Sequence, residues 1–262
     1  MSLRAVLFDL DDTLIVDEAV SREAFEAVSR YARDRHGAEA ERFARDAADH
    51  AKSLWEAGPC QAFCRSLGIS AFECLWGRFE GEGDLSQLRK WALSFREQVF
   101  DHALREQMIE SAEGSRDLAE VFSRERRLLQ RLMPDARETL TRLSAKYALG
   151  MLTNGAPDLQ REKIAVSGLE SLFNEVVVSG VYGIGKPRPE IFLHLTDRLG
   201  IPPGEAVMVG NSLERDIAGA RNAGITSIWL KVAGSEEYSD VEPDFNIRGL
   251  AELPALLERL DA

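Results

Sequence analysis

The sequence has no apolar run near the roughly 20 residues that a membrane-spanning helix requires. No internal repeat or low-complexity tract is visible, which sets aside solenoids and collagen-like chains. Positive charge is in deficit. Lysine and arginine total 32 against 44 acids, leaving a formal net charge of −12. Such a chain has no general attraction for nucleic acid or anionic membrane, and neither is expected as a partner. Cysteine is scarce as well. The three residues Cys60, Cys64 and Cys74 are an odd number confined to one stretch, which suits reduced thiols in a cytoplasm better than a disulfide framework. Met-Ser-Leu-Arg leads straight into an apolar strand, so no signal peptide of the usual design is expected.

What is present is an ordinary globular balance, 45% hydrophobic and 29% charged over 262 residues. Two textures alternate. Residues 4–10 form a short apolar run ending in acids, the pattern of a strand buried on both faces. From about 20 to 131 the apolar residues recur at helical spacing instead, as with Val20, Ala24, Val28 and Tyr31, or Leu88, Trp91, Phe95 and Val99. After Pro134 apolar strands return at 148–153, 175–178, 206–210 and 226–230. Helices are expected near 135–146, 157–167, 188–199, 214–223 and 250–260. This alternation predicts an α/β fold, a doubly wound parallel sheet with right-handed crossovers. The first strand has no partner unless it joins that sheet. The core is therefore expected to be discontinuous, residues 1–16 plus 133–262, with an all-helical domain inserted at 17–132.

Ligands of open α/β sheets bind beyond the carboxyl ends of the strands. The first strand ends in Asp9-Leu10-Asp11-Asp12-Thr13, and the second in Thr153-Asn154-Gly155. The third leads to Gly180-Val-Tyr-Gly-Ile-Gly-Lys186-Pro187. The fourth ends in Gly210-Asn211-Ser212, with Asp216 shortly beyond. Carboxylates, a hydroxyl, amides and one lysine on one sheet edge suit a phosphoryl group with a magnesium ion.

At these four clusters the sequence resembles the haloacid dehalogenase-like superfamily in its phosphatase branch. Its pattern is Asp-x-Asp-x-Thr, then Thr/Ser-Asn, then Lys-Pro, then Gly-Asp with a second acid. The helical insertion resembles that family's first type of cap, which would close over the site and contribute specificity. The resemblance implies a small phosphorylated metabolite as substrate. Asp9 would be the nucleophile, Asp11 the acid/base, and Lys186 the charge-neutralising cation. Thr153, Asn154 and Gly155 would bind phosphate oxygens. Asp11 also argues against dehalogenation, because the dehalogenating relatives lack this second acid. Three carboxylates and a phosphate dianion exceed what one lysine offsets, so Mg2+ is expected. The resemblance implies Asp9, the Asp11 backbone carbonyl, Asn211 and Asp216 as its surroundings. The family usually has Asp where this chain has Asn211. That change predicts weaker metal binding, with a catalytically impaired binding protein as the rival reading. A phosphotransferase or mutase of the same fold is a further alternative.

The segment 152–164, where Thr-Asn-Gly is followed by Gln160 and Lys163, looks like the branch of N-acylneuraminate phosphatases and pyrimidine 5′-nucleotidases. Sugar phosphates and nucleotides are both open as substrates, and either a monomer or a homodimer suits such an enzyme. The run 123–131 is read as a solvated basic helix face, the glycines at 180–185 as a flexible loop, and the cap tryptophans and cysteines as core. His36, His50, His102 and His194 lie away from the motifs and take no catalytic part.

Overall fold

The computed structural model describes residues 2–232 and 240–261, apart from the side chain of Ala112. From the N-terminus, β1 (Ala5–Phe8) runs into a loop and then β2 (Ile15–Val16). Six helices come next: α1 (Glu18–His36), α2 (Ala40–Glu56), α3 (Gln61–Leu67), α4 (Ala71–Cys74), α5 (Asp84–Arg105) and α6 (Ala112–Leu128). The chain returns through β3 (Arg131–Leu132), α7 (Ala136–Ser144), β4 (Ala148–Thr153), α8 (Pro157–Ser167) and β5 (Glu175–Val178). It continues through α9 (Ser179–Tyr182), α10 (Pro189–Leu199), β6 (Ala206–Gly210) and α11 (Ala218–Asn222). The last elements are β7 (Thr226–Leu230), β8 (Phe245–Ile247) and α12 (Leu253–Leu260).

The structure divides into two units. One comprises Met1–Val16, Arg131–Gly155 and Gln160–Ala262; the other comprises Asp17–Gln130 with Ala156–Leu159. These bounds differ from the expected ones at two places. Arg131 and Leu132 pair antiparallel with β2 as β3, and so stay with the sheet unit. Ala156–Leu159 group with the helices.

In the first unit six strands form one sheet in the order β5-β4-β1-β6-β7-β8, with neighbouring strands parallel throughout. The apolar runs dictate this. A parallel sheet is covered on both faces, so its strands need apolar side chains at successive positions. All four residues of β1 are buried, as are all five of β6. Phe8, Met151, Val209 and Ile228 belong to one apolar cluster, and Leu7, Leu152, Met208 and Phe192 to another. The sequence pattern does not anticipate β8, because three residues carry too little periodicity to declare a strand. β1 ends at Phe8, two residues short of the apolar run, so Asp9 to Asp12 lie in the loop beyond the sheet.

The second unit is helical, with Phe25, Phe43, Phe95, Phe100 and Phe122 in its core. The run 123–131 is not the solvated face expected of it. Arg126 is 1% exposed, donates through Nε to Ser21 Oγ at 3.1 Å, and pairs with Asp17. Its guanidinium lies 4.9 Å from the Trp76 ring, and Arg127 lies 5.0 Å from it. An acid and a hydroxyl on one side and an indole on the other make burial of this arginine tolerable. The three cysteines are free and buried. Trp76 is buried, and Trp55 and Trp91 are half-buried against the same core.

Candidate active site

The motif residues come from loops at the carboxyl ends of β1, β4 and β6 and from the segment after α9. β1 and β6 are neighbours, registered Phe8 to Val209, and the Asp9 N–H donates to Val209 O at 3.0 Å. This bond carries the ladder one step past the strand and sets Asp9 over the sheet edge. Asp12 takes a left-handed conformation (φ 56°), turning the chain back towards Thr13.

Lys186 is the centre of the arrangement. Its Nζ lies 2.5 Å from Asp9 Oδ1 and 2.6 Å from Asp216 Oδ1, and all three side chains are buried. Segments 177 and 30 residues away from Lys186 thus meet at one ammonium. Burial acts to lower the Lys186 pKa, but Asp216 and Asp9 outweigh it and hold the lysine above its ordinary range, charged. Burial pushes the Asp9 carboxyl up; Lys186 pulls it down and Asp216 pushes it up again, with a net rise. Besides burial, the physical cause is that two acids share one cation.

Asp216 reaches Lys186 by crossing the end of β6. A Cβ on Gly210 would lie 2.3 Å from Asp216 Oδ2, so only glycine admits this path. Oδ2 accepts from Ser212 N at 3.0 Å. The cap of the π-helical turn Leu213–Ile217 is Ser212, whose side chain accepts from Arg215 N, and not Asn211. Asn211 instead lies beside the motif threonine: Thr13 Oγ1 is 3.3 Å from Asn211 Oδ1 and 3.2 Å from Asp9 Oδ2. Trp229 Nε1 donates to the Asn211 carbonyl at 2.8 Å and fixes its backbone.

The second cluster departs from expectation. The side chain of Asn154, expected at phosphate oxygens, holds the lysine segment. Its Nδ2 donates to Lys186 O at 3.0 Å, and Lys186 N donates to its Oδ1 at 2.9 Å. Of the stretch read as a loop, Gly180 lies in the helical turn α9, and Gly183 to Gly185 are irregular and lead to Lys186. Gly155 N donates to Ser179 Oγ at 2.9 Å. Gly155 has a φ of +141°, and a Cβ there would lie 2.9 Å from the Gln160 side chain.

Asp11 does not share Lys186. Its Oδ1 accepts from Lys163 Nζ at 2.9 Å, and its Oδ2 accepts from Gln160 Nε2 at 3.0 Å. Gln160 Nε2 also donates to Thr153 Oγ1 at 2.5 Å. A projection of Asp11 to the same side as Asp9 requires a continuing strand, and the strand stops at Phe8. The motifs supply one lysine where the site has two. Gln160 and Lys163 share a face of α8 at a spacing of three, but nothing in the sequence aims that face at Asp11.

Three carboxylates face two ammonium groups, leaving one negative charge. The candidate metal donors are oxygens only, from Asp9, the Asp11 backbone and Asn211, which is the donor chemistry of a hard cation and not of zinc. Among the described residues no three His, Cys, Asp or Glu side chains gather to hold a metal. Oxygen donors of this kind fit magnesium, whose remaining coordination substrate and water would complete.

A family model described as haloacid dehalogenase-like hydrolase matches residues 3–224. The chain belongs to this family. The matched span contains all four sheet-edge clusters just described. This haloacid dehalogenase-like hydrolase is 40% identical to a phosphoserine phosphatase of Thermus thermophilus, over 96% of this chain and 98% of that protein. It is 41% identical to N-acylneuraminate-9-phosphatase of Rattus norvegicus over 50% of this chain and 53% of that one. A solved structure of a HAD phosphatase from Thermococcus onnurineus is similar at a TM-score of 0.60, with 27% identity, covering 97% of this chain and 98% of that one.

Proposed function

We propose that this hydrolase is a phosphomonoesterase acting on a small phosphorylated metabolite through an aspartyl-phosphate at Asp9. The observation that carries the reading is the meeting of Asp9, Lys186 and Asp216 at 2.5 and 2.6 Å. A buried ammonium between two carboxylates directs one acid as a nucleophile and offsets charge on the group it attacks. The phosphatase names of its relatives support the same reading.

An Asp9 oxygen attacks phosphorus as the ester P–O bond breaks. The leaving oxygen takes its proton from the Asp11 carboxyl, and the alcohol departs. Asp11, now a base, takes a proton from water. That water's oxygen attacks phosphorus, inorganic phosphate leaves, and Asp9 is regenerated. Lys186 offsets charge on Asp9 and on the transferring group throughout. Gln160 donates to the Thr153 oxygen, and rotation of the Thr153 hydroxyl away from the Asn154 carbonyl, 3.5 Å distant, would turn its proton to phosphate. The Gly155 N–H is taken by Ser179 Oγ. Asp9, the Asp11 carbonyl and Asn211 would hold magnesium, which when bound supplies further positive charge against the substrate phosphate. Asp216 stands as the partner of Lys186, since its two oxygens are bonded to Lys186 and Ser212.

Likeness over nearly the full chain to a phosphoserine phosphatase adds phosphoserine to the sugar phosphates and nucleotides the sequence suggests. Among the described residues no helix is long and apolar enough to cross a membrane. Buried reduced thiols suit a cytoplasmic setting. The test is phosphate release from a panel of phosphorylated metabolites and p-nitrophenyl phosphate, with magnesium and no added acceptor. Wild type is expected to release phosphate and Asp9→Asn to fall to background. Equal, background release from both proteins would refute the enzyme reading. Release only with a sugar acceptor would make it a phosphotransferase.

A further inference from the structure

We propose that Gln160 and Lys163 are positioning residues that clamp the Asp11 carboxylate for proton transfer. The inference rests on the phosphomonoesterase reading above.

The Lys163 side chain is 0% exposed, whereas its partner Asp11 is 25% exposed. A fully buried lysine is rare, and an ion pair of this kind gains little over apolar packing of the same volume. The pair is also lopsided. The cation is enclosed and the carboxylate opens outward, which presents the acid while anchoring it from behind.

Gln160 carries a second and independent mark. The Gln160 amide nitrogen faces Asp11, whose oxygen accepts from it, the arrangement suited to the ionised, base form that Asp11 takes in the second half of the reaction. That nitrogen serves Asp11 Oδ2 and Thr153 Oγ1 together. The cost falls on the other end, since Gln160 Oε1 is buried with no hydrogen-bond partner. A stranded buried acceptor costs stability, and here the same amide holds two side chains from different strand ends. Each Asp11 oxygen therefore has a fixed donor, and the carboxylate plane is set. Asp9 is held by Lys186 instead, so the two acids do not compete for one cation.

The proposal predicts a selective defect. Alkyl phosphates need a proton on the departing oxygen, whereas p-nitrophenolate leaves without one. Lys163→Met and Gln160→Leu should lower kcat for phosphoserine or another accepted alkyl phosphate by about ten- to a hundredfold, with KM little changed. The loss on p-nitrophenyl phosphate should be clearly smaller. In an Asp11→Asn background, Lys163→Met should cost nothing further, because the lysine acts on the reaction through that carboxylate. Gln160→Leu removes the stranded acceptor together with the donor and leaves no uncompensated buried charge, so it is expected to melt closer to wild type than Lys163→Met and keeps the test open if Lys163→Met does not fold. Equal losses on both ester types, additive losses in the double variant, or wild-type rates for Gln160→Leu would each overturn the proposal. Wild-type protein that is inactive on every ester would instead overturn the parent reading, and this one with it.

Discussion

Gly210 is the position where the sheet and the site constrain each other most tightly. An alanine Cβ there would lie 2.3 Å from Asp216 Oδ2, 2.4 Å from Cγ and 2.5 Å from Cβ, all far inside contact distance. Gly210 belongs to β6, which is bonded on both sides, to β1 and to β7, so the backbone has little freedom to retreat. Asp216 must move by about 1 Å to restore van der Waals separation. Its bonds to Lys186 (2.6 Å) and Ser212 N (3.0 Å) cannot both survive that shift. Overpacking of this kind costs about 1–3 kcal/mol, or a fall in Tm of roughly 2–10 °C. A displacement of about 1 Å in a group that orients the reacting centre costs about a hundredfold in rate. The assay is kcat for phosphate release beside a thermal melt, with Gly204→Ala as control, because a Cβ there meets nothing within 4 Å. Gly210→Ala with wild-type kcat and wild-type Tm would refute the reasoning, since Asp216 would then not cross the strand end or its place would not matter.

Other outcomes rest on the same kind of contact. Asn211→Asp adds a carboxylate beside Asp9, and the magnesium concentration for half-maximal thermal shift should fall about tenfold, equivalent to about 1.4 kcal/mol; an unchanged value contradicts the account of that position. Arg126→Met leaves Asp17 without its buried cation and should destabilise the protein by about 3 kcal/mol, read as a lower urea midpoint. A midpoint equal to wild type would show that the pair contributes nothing. Burial pushes the Cys74 thiol well above its ordinary range, and Cys64 is fully buried. An aromatic disulfide reagent should therefore label neither until the chain is unfolded; rapid labelling of native protein would contradict that burial.

Much of the sheet is legible in the sequence because strands covered on both faces leave uninterrupted apolar runs. β4, β5, β6 and β7 occupy the spans expected from Ala148, Glu175, Ala206 and Thr226 onward. Strand ends are less legible. The run through Leu10 is apolar, but Leu10 is buried beyond the strand, and the loop carries Asp11 away from Asp9 towards α8. Paired strands of two residues, such as β2 and β3, leave no periodic trace. The acids, Lys186 and Asn211 can be found by reading the residues just beyond each strand. The roles of Lys163, Gln160 and Arg126 cannot, because each lies on a helix whose orientation tertiary packing decides. A charged residue in a helical run looks solvated until its partner, Asp11 or Asp17, is known.

The central claim is that Asp9 becomes covalently phosphorylated. Acid-quenched protein from the first turnover of an accepted substrate, digested and weighed by mass spectrometry, tests it directly. The account predicts that the peptide containing Asp9 is heavier by one phosphoryl group and that hydroxylamine removes the label. An unmodified Asp9 peptide during steady turnover, with the label absent or on another residue, would contradict it.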